Sequence, residues 1–211
     1  MKLRNAIRLA STALLLSLET LSPAAATGTT DIPPGVNSRS GLIAALSAAG
    51  PHSSLSDQAN IVGRLVGAWD VKYTQFSKDG TAKLSTGQFI AGWIMDGRAI
   101  QILWIVDPSK TRTEREVYTN VDWFDQKAQT WRSAFVDPEH GSLAKFAGGP
   151  EGDDRFVLET EDFGSELVRW SANNIQANSF VWREEASTDG GTTWRLEAEY
   201  QMKRRGASFA R

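Results

Sequence analysis

Two adjacent carboxylates, Glu184 and Glu185, and a third at Asp122 are the side chains of this 211-residue sequence best suited to acid–base work. Glu184 follows Phe180 and Trp182 at intervals of two, so in an extended strand its carboxylate shares their face. If that face is inward, the carboxylate leaves water and requires a partner. Arg98, Arg132 and Arg169 are candidate partners. Such a pair serves as a general acid–base couple, as an orienting group for a bound molecule, or as a solvated pair at a cavity mouth. Histidine offers less: there are two in the chain. His52 lies in a segment of low apparent order, and His140 lies in the loop Pro138-Glu139-His140-Gly141. Asp153-Asp154 and Glu159-Thr160-Glu161-Asp162 lack the ligand spacing of a calcium loop and read as solvated turns. No nucleophile elbow, zinc-binding H-E-x-x-H or phosphate-cradling glycine loop occurs. No residue is therefore assigned a catalytic role, and neither a metal nor a cofactor is expected.

Aromatic side chains carry the remaining signal. Trp93, Trp104, Tyr118, Trp123, Trp131, Trp170, Trp182 and Tyr200 exceed what a small side-chain-filled β-domain needs. Large flat rings around a cavity would bind a small hydrophobic or flat molecule, with few polar groups to orient it. Trp93, Trp104, Tyr118, Trp182, Glu184 and Tyr200 form the expected ligand-contacting set. The competing reading makes these rings ordinary core.

The elements that must position these groups are strands. From Ile61 onward apolar and polar residues alternate, and glycine-containing turns recur. The last run sets Trp194, Leu196, Ala198, Tyr200 and Met202 against Arg195, Glu197, Glu199, Gln201 and Lys203, the period-two pattern of a half-buried antiparallel strand. Similar runs cover Ala68 to Phe76, Ala82 to Met95, Arg98 to Val106, Val117 to Phe124 and Thr130 to Val136. Weaker ones lie at Ala144-Phe146, Arg155-Leu158, Leu167-Ser171 and from Ile175 onward. Lys78-Asp79-Gly80, Asp96-Gly97 and Asp189-Gly190 supply hairpin turns. The pattern predicts an all-β, antiparallel up-and-down barrel of about 8–10 strands with a short N-terminal helix. Ala99–Val106 is apolar on both faces, which predicts cover by the arm, a helix or a second copy in a homodimer.

The N-terminal region differs. Lys2, Arg4 and Arg8 precede a short apolar run, Leu9 to Leu18, and Ala24-Ala25-Ala26 follows, the pattern of a secretory signal peptide over residues 1–26. The expected location is therefore periplasmic or secreted, with no membrane span after cleavage. Residues 27–60 read as a flexible arm, since Pro33-Pro34-Gly35 resists regular structure, with a short helix at Ser40 to Leu46. The domain is expected over 61–205, with a tail at 206–211. Lys and Arg number 23 against 25 Asp and Glu, so there is no basic excess and no nucleic-acid partner is expected. The chain contains no cysteine, which removes disulfides and thiolate chemistry.

Gly67-Ala68-Trp69 at the head of the strand series resembles the G-x-W opening of lipocalin-like and wider calycin barrels. That resemblance implies that Trp69 closes one end of the barrel beneath a basic side chain from the last strand, Arg204 or Arg205. Ser187 to Trp194 matches the S-x-D-x-G-x-T-W hairpin, whose single copy implies a structural turn and not a propeller glycosidase. With Gly92 to Gln101, these motifs resemble an uncharacterised lipocalin-like family of bacterial domains of unknown function, over roughly residues 62–204. The resemblance, to a family of exported or cytosolic domains, implies a fold and a cavity and almost nothing about a reaction. With the signal segment and the lack of catalytic motifs, the expected function is an exported, non-catalytic binder of a small hydrophobic or flat molecule. Related nitrobindin-like barrels ligate haem through a late-strand histidine, and this sequence has no histidine after His140. An enzyme using Glu184 or Asp122 beside an arginine, and an envelope interaction module, are the alternatives.

Overall fold

A computed structural model describes residues 39–110, 112–161 and 166–206. The signal segment 1–26, residues 27–38 of the arm and residues 207–211 of the tail lie outside these. The chain divides into a unit ending at Ala45 and a unit beginning at Leu46. In the first, the described element is helix α1, Arg39–Leu46. Among the described residues, no helix is long and apolar enough to cross a membrane.

The second unit is a closed barrel of ten strands: β1 Gly67–Phe76, β2 Ala82–Ile94, β3 Ala99–Val106, β4 Glu116–Asp125, β5 Thr130–Asp137, β6 Ser142–Pro150, β7 Phe156–Thr160, β8 Leu167–Asn173, β9 Ser179–Ser187 and β10 Arg195–Arg204. Each strand pairs antiparallel with its sequence neighbours, and β10 returns to β1 through Trp69↔Arg204 to Gln75↔Ala198. Closure leaves no free edge, which is how an all-β chain protects its unpaired backbone groups. Side-chain alternation sets the inner face: Trp69, Val71 and Tyr73 of β1 are buried, whereas Asp70 and Lys72 between them are exposed.

One end of the barrel is sealed. A 3-10 turn, Ser53–Gln58, and helix α2, Ala59–Gly63, lie there. Leu55, Ala59, Ile61, Val62 and Leu65 are all buried in the main core. Residues 47–60 were expected to belong to the flexible arm, and the structure corrects this. Ala48 N–H donates to Trp93 O at 2.8 Å and His52 N–H to Gly97 O at 2.9 Å. Gly97 permits that approach: its φ is +79°, and a Cβ there would lie 2.2 Å from Gly50 O. His52 is likewise not simply solvated, since its ring accepts from Ser54 N–H at the start of the 3-10 turn. The segment reads as a loop because its apolar residues, Leu55, Ile61 and Val62, follow no sustained helical period.

Two further expectations are corrected. Ile175 begins no strand; it sits fully buried in the β8–β9 connection. The strict alternation from Trp194 to Met202 is broken by a bulge between Leu196 and Ala198. One extra residue there reverses the parity of everything before it. Trp194 therefore lies outside the barrel, under the outward Arg169 guanidinium at 3.7 Å from its ring centroid. The hairpin before it is held by its own side chains. Asp189 Oδ1 accepts from Thr193 N–H at 2.9 Å, and the Trp194 indole donates to Gly191 O at 3.0 Å. These hydrogen bonds, led by the Thr193 hydroxyl, hold the Asp189 carboxyl down at about 2.

Candidate functional site

Exposure of the inward side chains changes along the barrel axis. At the sealed end Trp69, Phe89, Trp131, Phe156 and Phe180 are buried to 2% or less. Toward the other end Tyr118, Phe135, Ala144, Val168 and Tyr200 pack against the same core yet stay partly exposed. The barrel is therefore less covered at the end where β1, β3, β5, β7 and β9 finish, a shallow cup rimmed by partly buried side chains.

Rings run without a break from the seal to the cup. Trp69 meets Phe180 edge-on at 4.7 Å, Phe180 meets Phe89 at 5.7 Å, and Phe89 meets Trp104 at 4.7 Å. Trp104 then meets Trp182 at 5.1 Å and Tyr200 at 5.8 Å. Trp170 stacks on Phe146 at 4.0 Å and takes Phe135 edge-on at 5.1 Å. Tyr118 closes the row against Phe135 at 6.1 Å. Edge-on and offset contacts are the geometry that the ring quadrupole favours, worth about 0.5–1.5 kcal/mol each beyond burial.

Of the residues expected to contact a ligand, Trp104, Tyr118, Trp182, Glu184 and Tyr200 come together in or under this cup. Trp93 does not. It lies one residue before the end of β2, at the sealed end, buried at 6% exposure against Gly63. Parity places Trp93 on the inner face as it does Trp104, but parity carries no information about which end of the barrel a residue reaches. Trp170 and Phe135 join the cup and were absent from the expected set. Trp170 pairs directly with Glu184 across β8 and β9, so the register of that hairpin would have found it.

At the sealed end the Arg204 guanidinium lies 3.9 Å from the Trp69 ring centroid. It donates to Val66 O at 2.9 Å and Arg64 O at 2.8 Å, and the Trp69 indole donates to Leu65 O at 2.9 Å. The last strand, the first strand and the turn before it are thus clasped by one cation. Arg205 faces outward, to Asp70.

The polar groups of the cup are acids and phenols. Glu184 accepts from the Tyr200 hydroxyl at 3.2 Å, and Glu116 accepts from the Tyr118 hydroxyl at 2.5 Å. Burial pushes the Glu184 carboxyl up, against the Tyr200 hydrogen bond. Burial and then the Glu184 charge push the Tyr200 phenol well above its ordinary value. Arg112 pairs with Glu116 at 2.7 Å on the rim. Below the cup, the Trp104 indole donates to Asn120 Oδ1 at 2.9 Å, and Asn120 Nδ2 donates to Asp122 Oδ1 at 2.7 Å. Asp122 is 6% exposed. Burial raises its carboxyl to about 6, with Ser133 and Asn120 opposing the shift.

Neither carboxylate meets an arginine, which corrects the expected pairing. Arg98 lies on the surface beside Asp96 and His52. Arg132 faces outward to Asp125 and Glu161, and Arg169 to Glu159. His140 pairs with Asp137 at 2.8 Å on the rim. Among the described residues, no group of three His, Asp or Glu side chains could hold a metal ion. The indole N–H groups of Trp131 and Trp170 are buried without a hydrogen-bond partner. A separate groove of about 740 Å³ lies on the outer face of β9, β10, β1 and β2, lined by Gln88, Gln201, Lys72 and Lys203 among others.

These features define a lipocalin-like up-and-down barrel, ten-stranded and closed, with one end sealed and the inward rings at the other only partly buried. No protein-family model matches the chain, and no curated protein matches it. Among solved structures, it is similar to the S-type phycobiliprotein lyase CPES from Guillardia theta at 11% identity and a TM-score of 0.46, covering 68% of this chain and 89% of that one. It is also similar to EF1p2_mFAP2b, solved bound to DFHBI, at 12% identity and a TM-score of 0.35, covering 71% of this chain and all of that one. A DUF3598-family protein of unknown function from Nostoc punctiforme follows at 8% identity and a TM-score of 0.23, again over 71% of this chain and the whole of that one.

Proposed function

We propose that this chain is an exported, non-catalytic, lipocalin-like carrier of the bacterial domain family that its motifs resemble, and that its cup binds one small, flat, largely apolar molecule. The observation that carries the binding reading is the change in exposure along the inner face. A barrel built only for stability would bury its inward rings at both ends, whereas Tyr118, Phe135 and Tyr200 are only partly buried above a floor of Trp104, Trp170 and Trp182. An apolar guest set on that floor would exclude water from all of them, and ring-lined concavities with few polar groups are where such guests bind. Export is supported by the charged, apolar and small-residue succession of residues 1–26.

The test is the mass of protein recovered from its native host, under native and then denaturing conditions. An added small mass that disappears on denaturation, and that Trp182→Ala fails to retain, is the expected result. A bare chain mass, together with tryptophan emission indifferent to a panel of flat apolar molecules, would overturn the reading.

A second reading, self-association, is favoured by the outer face of β2 to β6. Ile90, Leu103, Ile105, Val117 and Val121 are only half-buried there, and Val136 and Leu143 are 40% and 60% exposed. A homodimer covering this face is expected to appear as a concentration-dependent rise in sedimentation coefficient. A monomer at all concentrations would remove it.

A further inference from the structure

Glu184 faces the cup, pairs across the hairpin with Trp170 on one side and Ala198 on the other, and lies on the same face as Trp182. Its hydrogen-bond partner is the Tyr200 hydroxyl, and among the described residues no cation pairs with it. The nearest basic group by sequence, Arg183, points outward to Glu199 at 3.0 Å. On the rim, Glu116 and Asp137 add acidity; Arg112 is engaged by Glu116, while Lys110 and Arg115 of the same connection are exposed. A partly buried carboxylate among aromatic faces, with its positive counterpart missing, is half of a recognition site. The faces of Trp104, Trp182 and Tyr200 attract a cation through their quadrupoles, and the attraction grows as water is excluded. An anion set on these rings would meet the Glu184 and Glu116 carboxylates.

We infer that the cup is selective for flat aromatic molecules carrying a cationic nitrogen, with the charge set against Glu184 and the apolar body on the Trp104–Trp182–Tyr200 rings. The inference rests on the binding reading above and narrows it to one class of ligand. Glu184 is the specificity-determining residue, and the rings supply the affinity shared by all flat guests.

The test uses the full chain and three probes with the same ring system: naphthyl trimethylammonium, its uncharged isostere tert-butylnaphthalene, and naphthalenesulfonate. Quenching of tryptophan emission gives the affinities. The ammonium probe is expected to bind about tenfold more tightly than the isostere, with the sulfonate weakest. Glu184→Gln is expected to remove most of the ammonium preference, leaving the part the rings supply, while the isostere is unchanged. If the isostere or the sulfonate binds as tightly as the ammonium, or if Glu184→Gln leaves the ammonium preference undiminished, the cation assignment is overturned while the cup remains a binding site. If none of the three binds, the binding reading itself falls. The wild-type series alone decides the question should the variant not fold.

Discussion

Trp69→Ala is expected to lower the stability of the barrel by about 4 kcal/mol, at the upper end of large-to-small core substitutions. Three losses coincide in this variant. A fully buried indole leaves its contact with Phe180 at 4.7 Å. Leu65 O loses its buried donor. The Arg204 guanidinium loses the ring face beneath it and keeps only carbonyl partners. For a chain of this size that energy corresponds to a midpoint about 8–16 °C lower. Urea titration of the variant and its parent measures it. A difference below about 1 kcal/mol would show that the seal of Leu55, Val62 and Leu65 holds the end without Trp69.

Asp122→Asn is expected to act in the opposite direction at neutral pH. In the folded chain the Asp122 carboxyl is raised from an ordinary 3.8 to about 6, chiefly by burial. Between these values the folded state holds a proton that the unfolded state has released, so stability is fully present below about pH 4 and is lost as pH rises through about 6. At about 1.4 kcal/mol per pH unit the loss reaches about 3 kcal/mol by pH 7. Asparagine carries no charge to desolvate, and its Oδ1 can still accept from Asn120. The variant should therefore be about 2–3 kcal/mol more stable than the parent at pH 7.5 and equal to it near pH 4. Denaturation series across that range provide the test. A variant less stable than its parent at neutral pH would mean that the Asn120–Ser133 network favours the ionised form more than burial opposes it.

Most strands were legible because one face of each is wet. Asp70 and Lys72 between Trp69, Val71 and Tyr73 leave one strand phase open, and the Asp-Gly turns mark where phases restart. The site was less legible for geometric reasons. Alternation assigns a residue to the inner or outer face but gives no height along the axis, so Trp93 and Trp104 look alike in sequence yet one sits in the sealed end and the other four strand positions away, under the cup. The bulge at Leu196 to Ala198 costs one residue of phase, and no residue type announces it, so Trp194 was placed on the inner face. The arginines were offered to Glu184 on charge alone, whereas strand parity sends Arg132 and Arg169 outward. Residues 47–60 were read as an arm because their fold is made by backbone contacts to the β2–β3 hairpin, such as His52 to Gly97, which leave no periodic trace.

The clasp of Arg204 on Arg64 O, 140 residues earlier in the chain, bears on the order in which the molecule can be made. During synthesis β1 emerges first and waits for β10, the strand that emerges last. Until then both β1 and β9 present unpaired backbone to other nascent chains, and the nine-strand meander has no ring to close. The final pairing is also the most entropically expensive, since it closes the longest loop. A chain of this topology therefore gains little from folding piecemeal on the ribosome. Whatever protects it against aggregation must act over nearly the whole length of its translation.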